Sequence, residues 1–247
     1  QKTAHPASRG TEHQDYNMTE ETEKKLPVCV VVGLGAQGIG DHCAKRWAEA
    51  GYAVAMLART QTTLDALEKE IPHSKGYRCD ATSPEDVEAA VAAIATDLGP
   101  IEVLIYNAGA GTFKDFATLS FQEFETCWRT GPAGLFLFAK AVLPGMVERG
   151  SGFVGVTGAT ASWRGAPKTA AFAPAKFAVR ALAQSLAKDY GPKGIHVFHC
   201  IIDGVVSQPR TKSWFSPTKP EDEFLSPHQI AQHYFDVAQQ DKTCWTF

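Results

Sequence analysis

Short apolar runs alternate with longer amphipathic stretches along most of the chain, starting at Val28. Val28-Cys29-Val30-Val31-Val32 is apolar at every position and rich in β-branched residues, the pattern of a strand buried on both faces. A helix follows through Cys43, Trp47 and Ala50, then a strand over 54–57. The next helix spans 62–70 with Leu64 and Leu67 inward, and a third strand covers 76–79. Ser83-Pro84-Glu85-Asp86 combines an N-cap serine, a proline at the first helical position and acids in the first turn. The helix that starts there turns Val87, Val91, Ile94 and Leu98 to the core. Residues 101–106 form a fourth strand, which ends in Asn107-Ala108-Gly109. A helix from Ser120 carries Phe121, Phe124 and Trp128 on one face, and Gly131-Pro132 interrupts or kinks it before 135–147. A fifth strand over 153–157 leads to an Ala-rich helix over 169–190, and a sixth strand spans 195–202. Residues 203–225 make a long, proline-punctuated connection of the length usually given to a lid or binding loop. Ser226-Pro227 caps one more helix with Ile230, Tyr234 and Val237, and Trp245-Thr246-Phe247 reads as a strand cut short.

Strands alternating with helices at this spacing specify an α/β fold: a single Rossmann-like doubly wound parallel sheet flanked by helices. Residues 28–247 show no internal repeat or composition shift and read as one domain. Residues 1–27 are polar with almost no large apolar side chains, so they read as a disordered or extended N-terminal segment. Met18 is a candidate start there, and 1–17 a candidate remnant of a targeting segment. Glu12, Asp15, Glu20, Glu21 and Glu23 oppose an intact transit peptide, which is acid-poor.

Composition narrows the function classes. A chain of 247 residues with 44% hydrophobic content can bury one sizeable core. A formal charge of −3 lacks the basic footprint of a nucleic-acid binder. The six cysteines are scattered, with no C-x-x-C pair and no Cys/His cluster at metal spacing. They read as reduced core thiols of a soluble protein in a reducing compartment, either cytoplasm or an organellar matrix, and no metal is expected. No uninterrupted apolar run approaches the ~20 residues of a membrane span. The longest candidate, 134–146, carries Lys140 and Pro144.

The candidate chemistry begins at Gly33-Leu34-Gly35-Ala36-Gln37-Gly38-Ile39-Gly40. Gly33, Gly35 and Gly38 fit G-x-G-x-x-G between a strand and a helix, the context in which glycines let backbone amides approach a pyrophosphate. A glycine-rich turn with no ligand is the bland alternative. The second strand ends at Ala58-Arg59-Thr60, where a carboxylate would hold a free ribose 2′-hydroxyl and none stands. Arg59 can pair with a 2′-phosphate, so NADP is expected ahead of NAD, unless Arg59 is an ordinary surface residue.

With these residues in place, the chain resembles the short-chain dehydrogenase/reductase family over 28–247. The resemblance rests on Gly38-Ile39-Gly40, Asp80 after the third strand, Asn107-Ala108-Gly109 after the fourth, and Lys176 early in the Ala-rich helix. It implies that Asp80 contacts adenine, that Asn107, Ala108 and Gly109 support the cofactor-side loop, and that Lys176 grips the nicotinamide ribose. Gln37 and Ile39 join the glycines as loop contacts. The family usually reads Thr-Gly-x-x-x-Gly-x-Gly, which puts Gly33 at the Thr and Leu34 at the first Gly. Its catalytic positions depart further. Phe172 stands where Tyr-x-x-x-Lys needs its Tyr, and none of the six tyrosines has Lys four residues later. Ala159, followed by Thr160, stands at the family Ser, and Gly131 at the family Asn. Of those four positions only Lys176 is kept.

Phe has no proton to give and no oxygen to hold a carbonyl. Losing a general acid costs ~10²–10⁴ in rate, so efficient carbonyl reduction by the family's route is not expected. Two readings stay open. In one, Thr160, Thr157, Ser162 or a water supports another hydride transfer, for instance to a polarised C=C of a small-molecule substrate. In the other, the chain is an inactive structural or regulatory subunit of a larger complex that keeps the fold and possibly the nucleotide. Phe113, Trp163, Arg164 and Trp214 are candidate pocket residues, while His196 and His199 read as core or edge residues. Asp203-Gly204 replaces the family's Pro-Gly before the substrate loop. Ala171, Ala175, Ala178, Ala181 and Ala183 give the 169–190 helix a small-residue face. That helix is a dimer seam in the family, which implies a homo-oligomer or a place in a larger assembly.

Overall fold

The computed structural model describes residues 25–35, 37–215 and 219–247. Most of the expected N-terminal segment therefore lies outside the described residues. Six strands form one parallel sheet: β1 (Val28–Val32), β2 (Ala53–Ala58), β3 (Ser74–Arg78), β4 (Ile101–Tyr106), β5 (Gly152–Thr157) and β6 (Ile195–Cys200). Their order across the sheet is β3-β2-β1-β4-β5-β6, and each neighbouring pair is parallel. The order reverses between β1 and β4, which opens a crevice at the carboxyl ends of those strands.

Why β1 is apolar throughout is visible in its packing. Val28, Val30 and Val32 face one core with α3 (Pro84–Asp97), α5 (Gly134–Arg149) and α6 (Phe172–Tyr190). Cys29 and Val31 face the other, with α1 (Ile39–Glu49), α2 (Gln61–Glu70) and α8 (Pro227–Ala238). Trp47, Leu64 and Tyr234 are fully buried on that second side. Each large side chain so covered contributes roughly 1.5–3 kcal/mol. Ser83, Ser120 and Ser226 cap α3, α4 (Phe121–Trp128) and α8 by accepting a backbone amide three residues on.

The expected kink at Gly131-Pro132 is a π-helical turn, Arg129–Ala133, joining α4 to α5. Tyr106 donates its hydroxyl to Thr130 O at 2.6 Å, satisfying a carbonyl at the turn. The continuous helical run Phe121–Arg149 is long and apolar enough to cross a membrane by length and composition alone. Here α5 packs on β4 and α3 instead, with Leu135, Phe138 and Met146 inside the core.

Two expectations need correction. Residues 245–247 form no strand. Trp245 donates its indole N–H to Gln240 O and stacks on His196, while Thr246 O lies 2.7 Å from His196 Nε2. These bonds lay the tail across β6 rather than alongside it. The Ala-rich helix begins at Phe172, because Thr169 is spent on a turn with Ala166. Of its small residues, Ala171, Ala175 and Ala183 are buried inside the domain, while Ala181 is exposed. The long connection over 203–225 is tethered near its two ends. Val206 bridges Leu225, Ser207 N donates to Leu225 O, and Leu225 N donates to Val205 O. It carries the short helix α7 (Pro209–Phe215).

Candidate functional site

The crevice predicted by the strand order is a cleft of about 560 Å³. Gly33, Gly35, Gly38, Ile39, Arg59, Asp80, Asn107, Ala108 and Gly109 all line it. Residues from four strand ends and one helix start thus converge on one surface, although they are spread over 77 positions of sequence.

The glycines there do different things. Gly33 has φ +90°, and a Cβ on it would meet the Ala108 backbone N at 2.6 Å, so it is glycine for close packing against β4. Gly35 has φ +136°, and a Cβ on it would meet only the Thr63 methyl at 3.9 Å. Gly38 is the N-cap of α1 and brings no side chain to the first amides of that helix. Asn107 ties the walls together: its Nδ2 donates to Gly33 O at 2.7 Å, and its Oδ1 accepts from Thr157 Oγ1 at 3.0 Å. Asp80 accepts from the amide and hydroxyl of Thr82, both at 2.9 Å, and these bonds, helped by Arg59 and Arg129, hold its carboxyl below the usual carboxylate range.

Gln37 is not brought to this cleft. Its amide donates to Asp41 Oδ2 at 2.8 Å, and its side chain borders a separate groove between α1 and α2. Asp41 Oδ1 accepts from Gly35 N at 2.7 Å. This carboxylate, only 4% exposed, staples the loop and holds Gln37 at φ +57°.

Lys176, Phe172 and Phe113 lie beyond Gly109 and do not themselves line the cleft. Lys176 Nζ lies 3.7 Å from where a Cβ on Gly109 would sit and donates to Thr157 O at 2.7 Å. Burial lowers its pKa to about 8. Phe172 stands one helical turn before it, with the ammonium 5.8 Å from the ring centre. Phe113 packs on Phe172 with ring centres 5.1 Å apart. Of the three replacement hydroxyls, those of Thr157 and Thr160 are already donating and that of Ser162 is an acceptor. Thr157 Oγ1 is held between Asn107 and Tyr234 OH, Ser162 Oγ accepts from Ala159 N, and Thr160 Oγ1 donates to Asp203. Trp163 lies under Arg180, Trp214 under Arg210, and Arg164 is exposed; none of the three borders the cleft. Gly131 sits on α6, where a Cβ would touch Val179 and Ala175 at 3.5 and 3.6 Å.

His196 and His199 are buried in β6, as expected of core or edge residues. Burial, with Lys176 and Arg180 nearby, lowers the His199 pKa to about 4. Among the described residues no three His, Cys, Asp or Glu side chains cluster to hold a metal.

Among the wall residues that sequence reasoning missed are Thr63, Gln208 and Arg210. It also missed Asp41, which reads as an ordinary first-turn acid. The signal for Asp41 was a carboxylate six residues after Gly35, at the third position of α1. Gln208 and Arg210 carry no local signal, since a long connection delivers them.

Comparison with known proteins fixes the lineage. The model of the family described as short chain dehydrogenase matches residues 27–218. This chain belongs to the short-chain dehydrogenase family. An oxidoreductase of Sarocladium schorii is 30% identical over 168 residues, covering 68% of each chain. A short-chain dehydrogenase from Rhodopseudomonas palustris superimposes with TM-score 0.76 at 32% identity, covering 90% of this chain and 95% of that one. An alcohol dehydrogenase from the archaeon Thermococcus sibiricus, solved with 5-hydroxy-NADP, gives TM-score 0.75 at 26% identity over 88% and 92% of the two chains. Short-chain dehydrogenases are oxidoreductases built on this Rossmann-like sheet, which agrees with the six parallel strands observed here.

Proposed function

We propose that this protein binds NADP(H) in the cleft and belongs to the hydride-transferring members of its family, with carbonyl reduction attenuated. The observation that carries this reading is Phe172 one helical turn before the buried Lys176. The residues fit a dinucleotide. Gly35 and Gly38 leave the α1 amides open to a phosphate, and Arg59, next to the end of β2, offers a guanidinium to a 2′-phosphate. The Thermococcus sibiricus neighbour with its bound NADP derivative supports the same choice of cofactor.

Bound there, a reduced nicotinamide supplies a hydride. This chain's own residues position and shield. Asp80 and Arg59 hold the adenosine end, Asn107 keeps the β1 loop against β4, and Lys176 Nζ presents a proton at the reaction end. Phe172 and Phe113 present aromatic carbon near that end, which donates nothing. A ketone needs its oxygen protonated as hydride arrives, and the phenol that would do so is absent. An alkene conjugated to a carbonyl takes hydride at its β carbon, and the resulting enolate then takes a proton from Lys176 or water. Polarised C=C bonds are therefore the favoured acceptors.

The test is fluorescence titration with NADPH and NADH, followed by single-turnover oxidation of bound NADPH by paired enones and ketones. The expected result is tighter NADPH binding and faster loss of NADPH with enones. Tighter NADH binding would overturn the cofactor choice, and failure of both nucleotides to bind would overturn the whole reading.

A further inference from the structure

The glycine loop has already spent part of its anion-binding capacity. Asp41, buried on the first turn of α1, occupies the amides of Gly35 and Gln37 with both carboxylate oxygens. A diphosphate beside this loop meets a fixed negative charge and two fewer N–H donors than a free loop would offer. Such a charge raises the cost of bringing in a second anion unless cations nearby offset it.

The offsetting groups stand on the opposite wall. Gln208 Oε1 lies 2.7 Å from the point a Cβ on Gly38 would occupy, so residue 208 directly faces the start of α1. Arg210, two residues on, lines the same cleft. Its base is fixed. Thr211 Oγ1 donates to the carbonyls of Val206 and Gln208, Ser207 N donates to Leu225 O, and Lys212 pairs with Glu221 at 2.6 Å. Trp214 lies beneath the Arg210 guanidinium at 5.2 Å, which restricts its rotamers. Arg59 and Asp80 mark the adenosine end, and Gly109 with Lys176 marks the nicotinamide end. Between them, Gly38, Gln208 and Arg210 border the stretch that a diphosphate has to cross.

We propose that Arg210 is the diphosphate-binding cation of this protein, supplied by the 203–225 connection to compensate for the Asp41 carboxylate in the glycine loop. The inference rests on the reading that the cleft takes a nicotinamide dinucleotide. It divides the two cationic contacts by chemistry. Arg210 meets the diphosphate common to NADPH and NADH, whereas Arg59 meets the 2′-phosphate of NADPH alone.

The experiment is titration of the full chain with NADPH and with NADH, for wild type, Arg210→Ala, Arg210→Lys and Arg59→Ala, at low and moderate salt. Loss of one charge-assisted contact corresponds to about tenfold in affinity. Arg210→Ala is expected to weaken both nucleotides by that same factor and to flatten the salt dependence of both. Arg210→Lys is expected to recover part of the loss, and Arg59→Ala to weaken NADPH only. Unchanged affinities in Arg210→Ala would overturn the proposal while leaving the cofactor reading intact. A loss confined to NADPH would also overturn it, by moving Arg210 to the 2′-phosphate. A wild-type protein that binds neither nucleotide would overturn both.

Discussion

The glycine-loop cleft and the neighbourhood of Lys176 beyond it are built differently. At the adenosine end, polar groups are tied into place: Asn107 bonds Gly33, Thr82 bonds Asp80, and Asp41 staples the loop. Around Lys176, the ring of Phe172 lies against Phe113, while Thr157 and Thr160 spend their hydroxyl protons on Asn107 and Asp203. The first arrangement is costly to lose, because buried amides and carboxylates would be left unpaired. The second tolerates the loss of a hydroxyl, since an apolar ring packs as well as a phenol. On the proposed reading, this fold keeps a nucleotide cleft without the phenol that would donate a proton.

The strongest way to break the comparison is to damage the adenosine end. Gly33→Ala places a methyl against the Ala108 backbone at a left-handed φ, and backbone cannot swing aside. The expected cost is about 3 kcal/mol or more of stability, read from a urea midpoint, with NADPH binding lost. A variant of unchanged midpoint would show that the β1 loop is not pinned to β4.

The next effect lies behind the reaction end. With its pKa lowered to about 4, His199 stays neutral in the fold where the unfolded chain, near 6.5, binds a proton. Its contribution is fully present above pH 6.5 and is lost as pH falls towards 4. Stability is expected to drop by about 1–3 kcal/mol over that window, and His199→Gln to remove the slope. An unaltered acid profile in the variant would assign the slope to other groups.

Lys176, beside Gly109, gives a smaller effect. Its pKa of about 8 lies below the ordinary 10.5, so the unfolded chain holds more protons between those values. Wild-type stability is expected to rise with pH across that window as the buried charge is relieved. Affinity for NADPH should run the other way, falling as the ammonium is lost through pH 8. Lys176→Met should weaken NADPH about tenfold below that pH and flatten both profiles. The smallest effect sharpens the contrast: Phe172→Leu should leave NADPH affinity within about twofold, because this residue shapes the reaction end alone. A larger loss would make the ring part of the nucleotide site.

Much of this contrast could be read along the chain. The apolar runs gave the six strands and most helices, because burial on both faces of a parallel sheet leaves a continuous signal. Phe172 and Lys176 were legible because one helical turn fixes their relation. Where contacts are long-range, the pattern was silent. Gln208 and Arg210 reach the cleft only because residues 205–207 pair with Leu225. Asp41 carries the same sequence signature whether it faces solvent or caps a loop. The Trp245 segment looked like a strand from its residue types, yet His196 offered a stacking surface and a ring nitrogen that drew it out of register. Thr160 looked available until Asp203, 43 residues away, was found accepting its proton.

The most direct test of the central claim is single-turnover oxidation of bound NADPH by a ketone panel, with wild type and the Ala159→Ser/Phe172→Tyr double variant side by side. The account predicts that wild type holds NADPH nearly unreacted and that the double variant consumes it at least ~100-fold faster, the usual worth of a general acid. Equal rates in the two proteins would contradict it, for they would mean that the reaction end already has a proton donor or that the pocket no longer holds a ketone beside the nicotinamide.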